Sequence, residues 1–372
     1  MKIAIVRKKY NPFGGAERYL NLLSNSLVKE GHEIHIFANK WPGSQAGGMV
    51  FHHVPMIGGL SVFKILSFAF ASWWMLRRSD VDVIISNERI FHQDIFRASD
   101  GVHRTWLKIR MRHLSFLKKI SILTNPLHWT VRFFDWFIFT RHAYKKIIAP
   151  SEFIKKDIMD NYGVAEKDIH VVYNCVDLER FNPENKKHYR MPIRKELGYN
   201  EDDYLLLYVG TGFERKGLRC AIEALSRLPK ETKLLVIGKG RLGFYRKLAE
   251  KHKVLSRIKF LGPVDGVEKY YAASDVLVLP TLYEPMANVI LEALATGIPV
   301  ITSRDCGNAE IITEGKDGWI INNPADSKEI ATKIANAMRI VRNPEICLSA
   351  RKKASEFTLE RMIQNMMKVI FL

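Results

Sequence analysis

Short apolar runs, each followed by a glycine-rich or polar corner and then by a stretch with helical spacing, recur along the whole chain. In the first half they predict strands at residues 2–6, 33–38, 49–54, 81–86, 146–149 and 169–173, with helices at 16–30 and 151–162 among them. The pattern then restarts. Strands are predicted at 204–209, 233–237, 257–261, 275–280, 300–303 and 319–321, and helices at 217–228, within 284–297 and at 327–342. Strands flanked by helices in this way build parallel sheets, so the chain reads as α/β with two domains. An amphipathic helix is expected at about 355–370.

Some segments need arbitration. Residues 60–76 are apolar enough to raise a membrane span, but seventeen residues interrupted by Lys64 are marginal for a bilayer, and a buried crossover helix is the expectation. Residues 94–103, Asp-Ile-Phe-Arg-Ala-Ser-Asp-Gly-Val-His, read as a strand ending in a polar tip. The pair Asp80-Val-Asp82 could hold a metal in another setting. Its alternation with apolar residues points instead to a strand edge, and no metal is assigned. Gly238-Lys-Gly240-Arg-Leu-Gly243 matches a dinucleotide fingerprint literally. It sits in the second strand-loop-helix unit of its domain, and the next strand ends in Gly262-Pro263 rather than an acid, so a dinucleotide is rejected.

At 372 residues the chain is too long for one ordinary core. Its four cysteines, Cys175, Cys220, Cys306 and Cys347, show no paired spacing, which fits a reducing, cytoplasmic compartment. The net charge of +18 demands an acidic partner or surface. Zinc-finger, RNP-like and helix-turn-helix signatures are lacking, so nucleic acid is not the expected partner. Residues 104–146 suggest another one, because ten Lys or Arg face a single acid, Asp135, among eight Trp and Phe. Basic and aromatic residues mixed in segments too short to span suit an interfacial helix on an anionic membrane. The same mixture would also arise if the aromatics were core and the cations a solvated face. Asn125-Pro126 divides the stretch into two predicted helices. The first, near residues 106–120, carries the membrane candidates Lys108, Arg110, Arg112, Lys118 and Lys119.

The candidate chemistry lies at strand-to-helix corners. Glu284-Pro-Met-Ala-Asn-Val-Ile-Leu-Glu292 follows the apolar run 275–280 and leads into a helix ending at Gly297. Both glutamates are thereby expected at the positive end of that helix, where free N–H groups suit phosphate and carboxylates suit sugar hydroxyls. From spacing alone they could equally be two acids that complement the helix dipole. Arg215 and Lys216 stand at the mouth of the helix that follows Gly210-Thr-Gly212, placed to neutralise a diphosphate. Gly14 and Gly15 form a third corner, where backbone could approach a phosphate.

The two glutamates seven residues apart, with the small-residue helix end and Gly-x-Pro-Val beyond them, resemble the signature of family 4 of the retaining nucleotide-sugar glycosyltransferases. The likeness covers nearly the whole chain through Asn11 to Arg18, Asn174 to Pro183 and Phe213 to Gly217, and comes nearest to the lipopolysaccharide-core hexosyltransferases at residues 94–103. It implies two Rossmann-like domains facing across a cleft (GT-B), with residues 1–174 as the acceptor side, 175–357 as the donor side and 358–372 crossing back to the first. It implies a metal-independent, cofactor-free transfer of a hexose, glucose from UDP-glucose first, to a membrane-associated glycolipid. Such an enzyme would be peripheral on the inner face of the cytoplasmic membrane. Glu284 would bind the sugar and Glu292 the ribose, while Ala287, Asn288, Val289, Gly14 and Gly15 would meet the phosphates. Asp100 and His103 become acceptor-side catalytic candidates beside Arg215, Lys216 and Glu284. Many relatives carry a further arginine where this chain has Gly210 and Thr211, so Arg215 is expected to supply that charge. Mannosyl or N-acetylhexosaminyl transfer fits the same frame, and a basic membrane-binding scaffold without activity is the reading from another class.

Overall fold

The structure, a computed structural model, describes residues 1–8, 23–40, 49–112 and 114–371. It divides into two compact units, Met1–Asn174 with Met362–Leu372, and Cys175–Arg361.

In the first unit the strands are β1 (Lys2–Val6), β2 (Glu33–Ala38), β3 (Met49–His53), β4 (Val83–Ser86), β5 (Ile95–Arg97), β6 (Lys146–Ala149) and β7 (Ile169–Val171). They form one parallel sheet in the order β3-β2-β1-β4-β5-β6-β7. Its inner strands are apolar on both faces because helices cover both, as at Ile3 to Val6, all fully buried. The order reverses between β1 and β4, the position in an open parallel sheet where a crevice forms at the carboxyl ends of the strands. Asp80 and Asp82 close the other end of the sheet: Lys2 N donates to Asp82 Oδ2 and Lys2 Nζ pairs with Asp80, each at 2.7 Å. Their role here is to fix a strand edge. The last helix, Leu359–Phe371, buries Met366, Val369 and Ile370, and Lys146 Nζ donates to the Val369 carbonyl at 2.9 Å.

The second unit repeats the plan with β8 (Tyr204–Val209), β9 (Thr232–Ile237), β10 (Ile258–Gly262), β11 (Val276–Leu279), β12 (Val300–Ser303) and β13 (Gly318–Ile321). Their order is β10-β9-β8-β11-β12-β13, all parallel, with the reversal between β8 and β11. Behind that point the fully buried Arg194 donates to Asp275 Oδ2 at 2.7 Å, and Leu205 N donates to the same oxygen at 2.8 Å. A buried charge needs such a partner, and this one clamps the entrances of β8 and β11 together.

The helix Ser61–Leu76 is the expected crossover but is not buried throughout. Phe68, Ala69, Ser72 and Leu76 face the core, whereas Phe63, Leu66, Phe70 and Trp74 are exposed. Among the described residues no helix is long and apolar enough to cross a membrane. Residues 94–103 are not one strand. Only Ile95–Arg97 pairs in the sheet, and Asp94 is held below it by Ile84 N and Lys145. Gly101, at φ +68°, then turns the chain into the helix His103–Arg112. The single helix expected at 106–120 is likewise two, His103–Arg112 and Phe116–Leu123, because Ser115 is extended (φ −65°, ψ 158°) and starts the second. Lys108, Arg110 and Arg112 therefore lie on one helix, and Lys118 and Lys119 on the next. Pro126–Thr140 follows, capped by Asn125, whose side chain accepts from Leu127 N.

Candidate active site

The loops leaving β8 and β11 meet at the reversal point of the second sheet, and they carry the residues singled out from sequence. Leu282 N and Thr281 Oγ1 donate to the Arg215 carbonyl at 2.8 and 3.0 Å, so the two loops are tied through backbone. Gly217, at φ +73°, opens the helix Leu218–Leu225. A Cβ there would overlap the Pro280 carbonyl, so only glycine lets the loops approach this closely. Gly210 leaves room for the stem of Lys216, which lies where a side chain at 210 would begin.

Arg215 and Lys216 converge on Glu284. Arg215 Nη1 lies 3.2 Å and Lys216 Nζ 3.5 Å from Glu284 Oε2, and Arg215 also donates to the Tyr283 carbonyl at 3.0 Å. Glu284 itself is buried and anchored on both sides of its backbone, N to the Asp305 carbonyl and carbonyl to Gly307 N. Among the described residues its Oε2 accepts no hydrogen bond, although both cations are within ion-pairing distance. The three residues together carry a net positive charge. Beside them the Cys306 thiol is pushed up to about 12, by burial first and by the Glu284 carboxylate second.

Asn308 was not anticipated from sequence. It is fully buried, its Oδ1 accepts from Ala287 N at 2.6 Å, and its Nδ2 has no partner among the described residues. A buried amide with one end used and the other open is a costly arrangement that a ligand acceptor relieves. The same bond alters the expectation for the phosphate-binding backbone, because the Ala287 amide is already engaged. Asn288 opens the helix Asn288–Ala295 and Val289 follows it. Gly297 ends that segment at φ +70°.

Glu292 belongs to the helix itself. It lies one turn into the helix, half-buried, and accepts from the Tyr271 hydroxyl at 2.7 Å. Tyr271 is fully buried, and burial together with the Glu292 carboxylate raises its hydroxyl well above the ordinary range, which keeps it a donor. The fingerprint-like glycines after β9 have packing roles. Gly238, at φ +129°, lies against the Gly210 carbonyl, and a Cβ on Gly240 would run into the Phe213 ring.

The first unit holds a second cluster. Arg89, in the loop after β4, pairs through Nε with the buried Asp135 at 2.7 Å and through Nη1 with the exposed Asp100 at 3.3 Å. Burial disfavours the guanidinium charge, but Asp135 and Asp100 outweigh it and hold Arg89 above its ordinary range. Asp135, the lone acid of the basic stretch, also accepts from His103 N at 3.1 Å. His103 Nε2 is 3.0 Å from His128 Nδ1. Burial first, and the charge of Arg89 second, lower the His103 imidazole to about 4, so it is neutral near pH 7. Asp100 and His103 thus share one network, built by Arg89, Asp135 and His128, which sequence reading had not singled out. Gly14 and Gly15 lie outside the described residues.

Two family models divide the chain between them: Glycosyltransferase Family 4 matches residues 13–180 and Glycosyl transferases group 1 matches residues 190–356. The chain belongs to glycosyltransferase family 4. Among its relatives is the lipopolysaccharide glucosyltransferase WaaG of Escherichia coli, 24% identical over 91% of this chain and 90% of the relative. The N-acetyl-alpha-D-glucosaminyl L-malate synthase of Bacillus anthracis is also 24% identical, over 97% and 93%. The crystal structure of a WaaG superposes with a TM-score of 0.84 over 99% of both chains at 23% identity. That of Anabaena HepE in complex with UDP-glucose superposes with 0.73 over 100% and 99% at 16%. The two parallel-sheet units of this glycosyltransferase are thus those of the GT-B fold.

Proposed function

We propose that this glycosyltransferase is a retaining, metal-independent hexosyltransferase that moves glucose from UDP-glucose to a membrane-associated glycolipid of the lipopolysaccharide-core kind. One observation carries the reading: the buried Glu284 carboxylate stands between Arg215 and Lys216 at the reversal point of the second sheet. A donor needs both halves of that arrangement. Its sugar hydroxyls donate to Glu284, and its diphosphate meets the two cations, which stabilise the charge that builds on the leaving phosphate as the glycosidic bond breaks. Arg215, Lys216 and the half-buried helix mouth at Asn288 and Val289 supply the positive field that a metal provides elsewhere. The ribose hydroxyls are assigned to Glu292, oriented by Tyr271.

The acceptor is assigned to the first unit. A neutral His103 can accept the proton of the attacking hydroxyl, and Asp100 can balance positive charge at the anomeric carbon. Glucose and the glycolipid are carried over from the names of WaaG and the HepE complex, and the basic aromatic surface of residues 104–146 supports a peripheral place on an anionic membrane face.

The test is transfer of labelled sugar from UDP-glucose, GDP-mannose and UDP-N-acetylglucosamine to core-truncated lipopolysaccharide in the presence of EDTA, with the product anomer read by NMR. Transfer from UDP-glucose with the donor's α configuration is expected. An inverted product, or turnover only with another donor, rejects the reading. Vesicle binding with no transfer from any donor favours the inactive scaffold.

A further inference from the structure

The three helices His103–Arg112, Phe116–Leu123 and Pro126–Thr140 enclose a cavity of about 150 Å³ in the first unit. Arg104, Lys108 and Arg132 converge on it, with His128 in the same wall. Among the described residues none of these three cations has a carboxylate partner, and residues 101–134 contain no Asp or Glu. Three like charges gathered around one small space repel one another unless an anion joins them. The rest of the lining is apolar. Ile122 is buried, Leu123 and Trp129 are half or more exposed, and the exposed Phe116 and Leu117 continue that apolar surface on the same helix as Leu123. Arginine forks match phosphate oxygens, and an apolar lining matches the hydrocarbon that a soluble phosphate lacks.

We propose that this cavity binds the phosphate group of a phosphorylated amphiphile and anchors the acceptor beside the reacting centre. His128, in its wall, is hydrogen-bonded to His103, so an occupant is one residue away from the acceptor-side cluster. The anchoring role rests on reading the first unit as the acceptor side, whereas the phosphate site itself stands on the cations and the cavity.

The experiment is calorimetry on the full chain with monomeric dihexanoyl phosphatidic acid, below its micelle concentration so that no membrane surface is present. Dihexanoyl phosphatidylcholine and inorganic phosphate serve as comparisons. Arg104→Gln/Lys108→Gln/Arg132→Gln should weaken phosphatidic acid by about tenfold or more, the loss expected of even one charge-assisted hydrogen bond. The charge-matched Arg112→Gln/Lys118→Gln/Lys119→Gln, outside the cavity, should bind it as the wild type does. Melting temperatures and far-UV circular dichroism, unchanged in both triple variants, establish that each is folded. Equal weakening by the two triples overturns the site in favour of diffuse charge, and phosphatidylcholine binding as tightly as phosphatidic acid overturns it in favour of apolar contact. Inorganic phosphate binding as tightly as phosphatidic acid overturns the amphiphile. Cavity-dependent binding in a protein that transfers no sugar retains the site and rejects only the acceptor reading.

Discussion

The hydroxyl of Tyr271 donates to Glu292 Oε2 at 2.7 Å. Tyr271 comes from the helix Glu268–Ala273 and is fully buried, so it fixes one carboxylate oxygen of Glu292. Glu292→Ala should weaken UDP by about 1.5–3 kcal/mol, the value of a charged hydrogen bond. Tyr271→Phe keeps the ring and loses only the donor, so it should cost less, about 0.5–1.5 kcal/mol. Calorimetry with UDP checks both, and unchanged affinity in Glu292→Ala rejects its ribose role.

Glu284→Ala should behave differently, lowering turnover while leaving UDP affinity close to wild type. The substitution releases Arg215 and Lys216 from their shared carboxylate, which favours diphosphate, but it removes the acceptor for the sugar hydroxyl. Initial rates at saturating donor, set beside the UDP titration, separate the two effects. A loss of UDP binding as large as that of Glu292→Ala would contradict this division of labour.

Chelation offers a third check, on the proposal that Arg215 and Lys216 supply the positive field of a divalent ion. Turnover in EDTA should stay near its untreated level. Activity lost with EDTA and restored by magnesium or manganese would overturn metal independence.

Acid should destabilise the first unit through His103. Its folded value is lowered from 6.5 to about 4, so between those values the unfolded chain holds a proton that the folded one does not. The stability is complete above pH 6.5 and declines as the pH falls toward 4. His128, also lowered by burial, acts with the same sign. Melting temperatures of wild type and His103→Gln across that range are the measurement, and the wild type should fall more steeply. Parallel curves would mean that the imidazole is no more buried than in the unfolded chain.

Membrane recruitment is a separate expectation because the cations now lie on two helices. Each Lys or Arg near an anionic surface contributes about 1 kcal/mol, so changing Lys108, Arg110, Arg112, Lys118 and Lys119 together to Gln should abolish salt-sensitive sedimentation with anionic vesicles. Undiminished sedimentation would assign the surface charge another purpose.

The parts legible in sequence are those fixed by local spacing. The strand runs, Gly217 beside Arg215-Lys216 and the glutamate corner all lie within single turns, where apolar period and glycine position are strong signals. What was hidden depends on partners far along the chain. Arg89 and Asp135 are 46 residues apart, and the Asn308 bond to Ala287 spans 21. The break at Ser115 was hidden for another reason: apolar and basic positions continue across it at helical spacing, and only its extended backbone starts a new helix. The glycines after β9 misled because close packing and phosphate approach require the same absent side chain.

The first unit takes its strands from residues before Asn174 and its last helix from residues after Met362. During synthesis on the ribosome its sheet is complete long before that helix exists, and the whole of Cys175–Arg361 must be made in between. Until then Lys146 lacks the Val369 carbonyl, and the surface that Met366 and Ile370 come to cover is open to solvent and to other chains. The newborn protein therefore passes through a stage in which the half nearer its start is the less finished one.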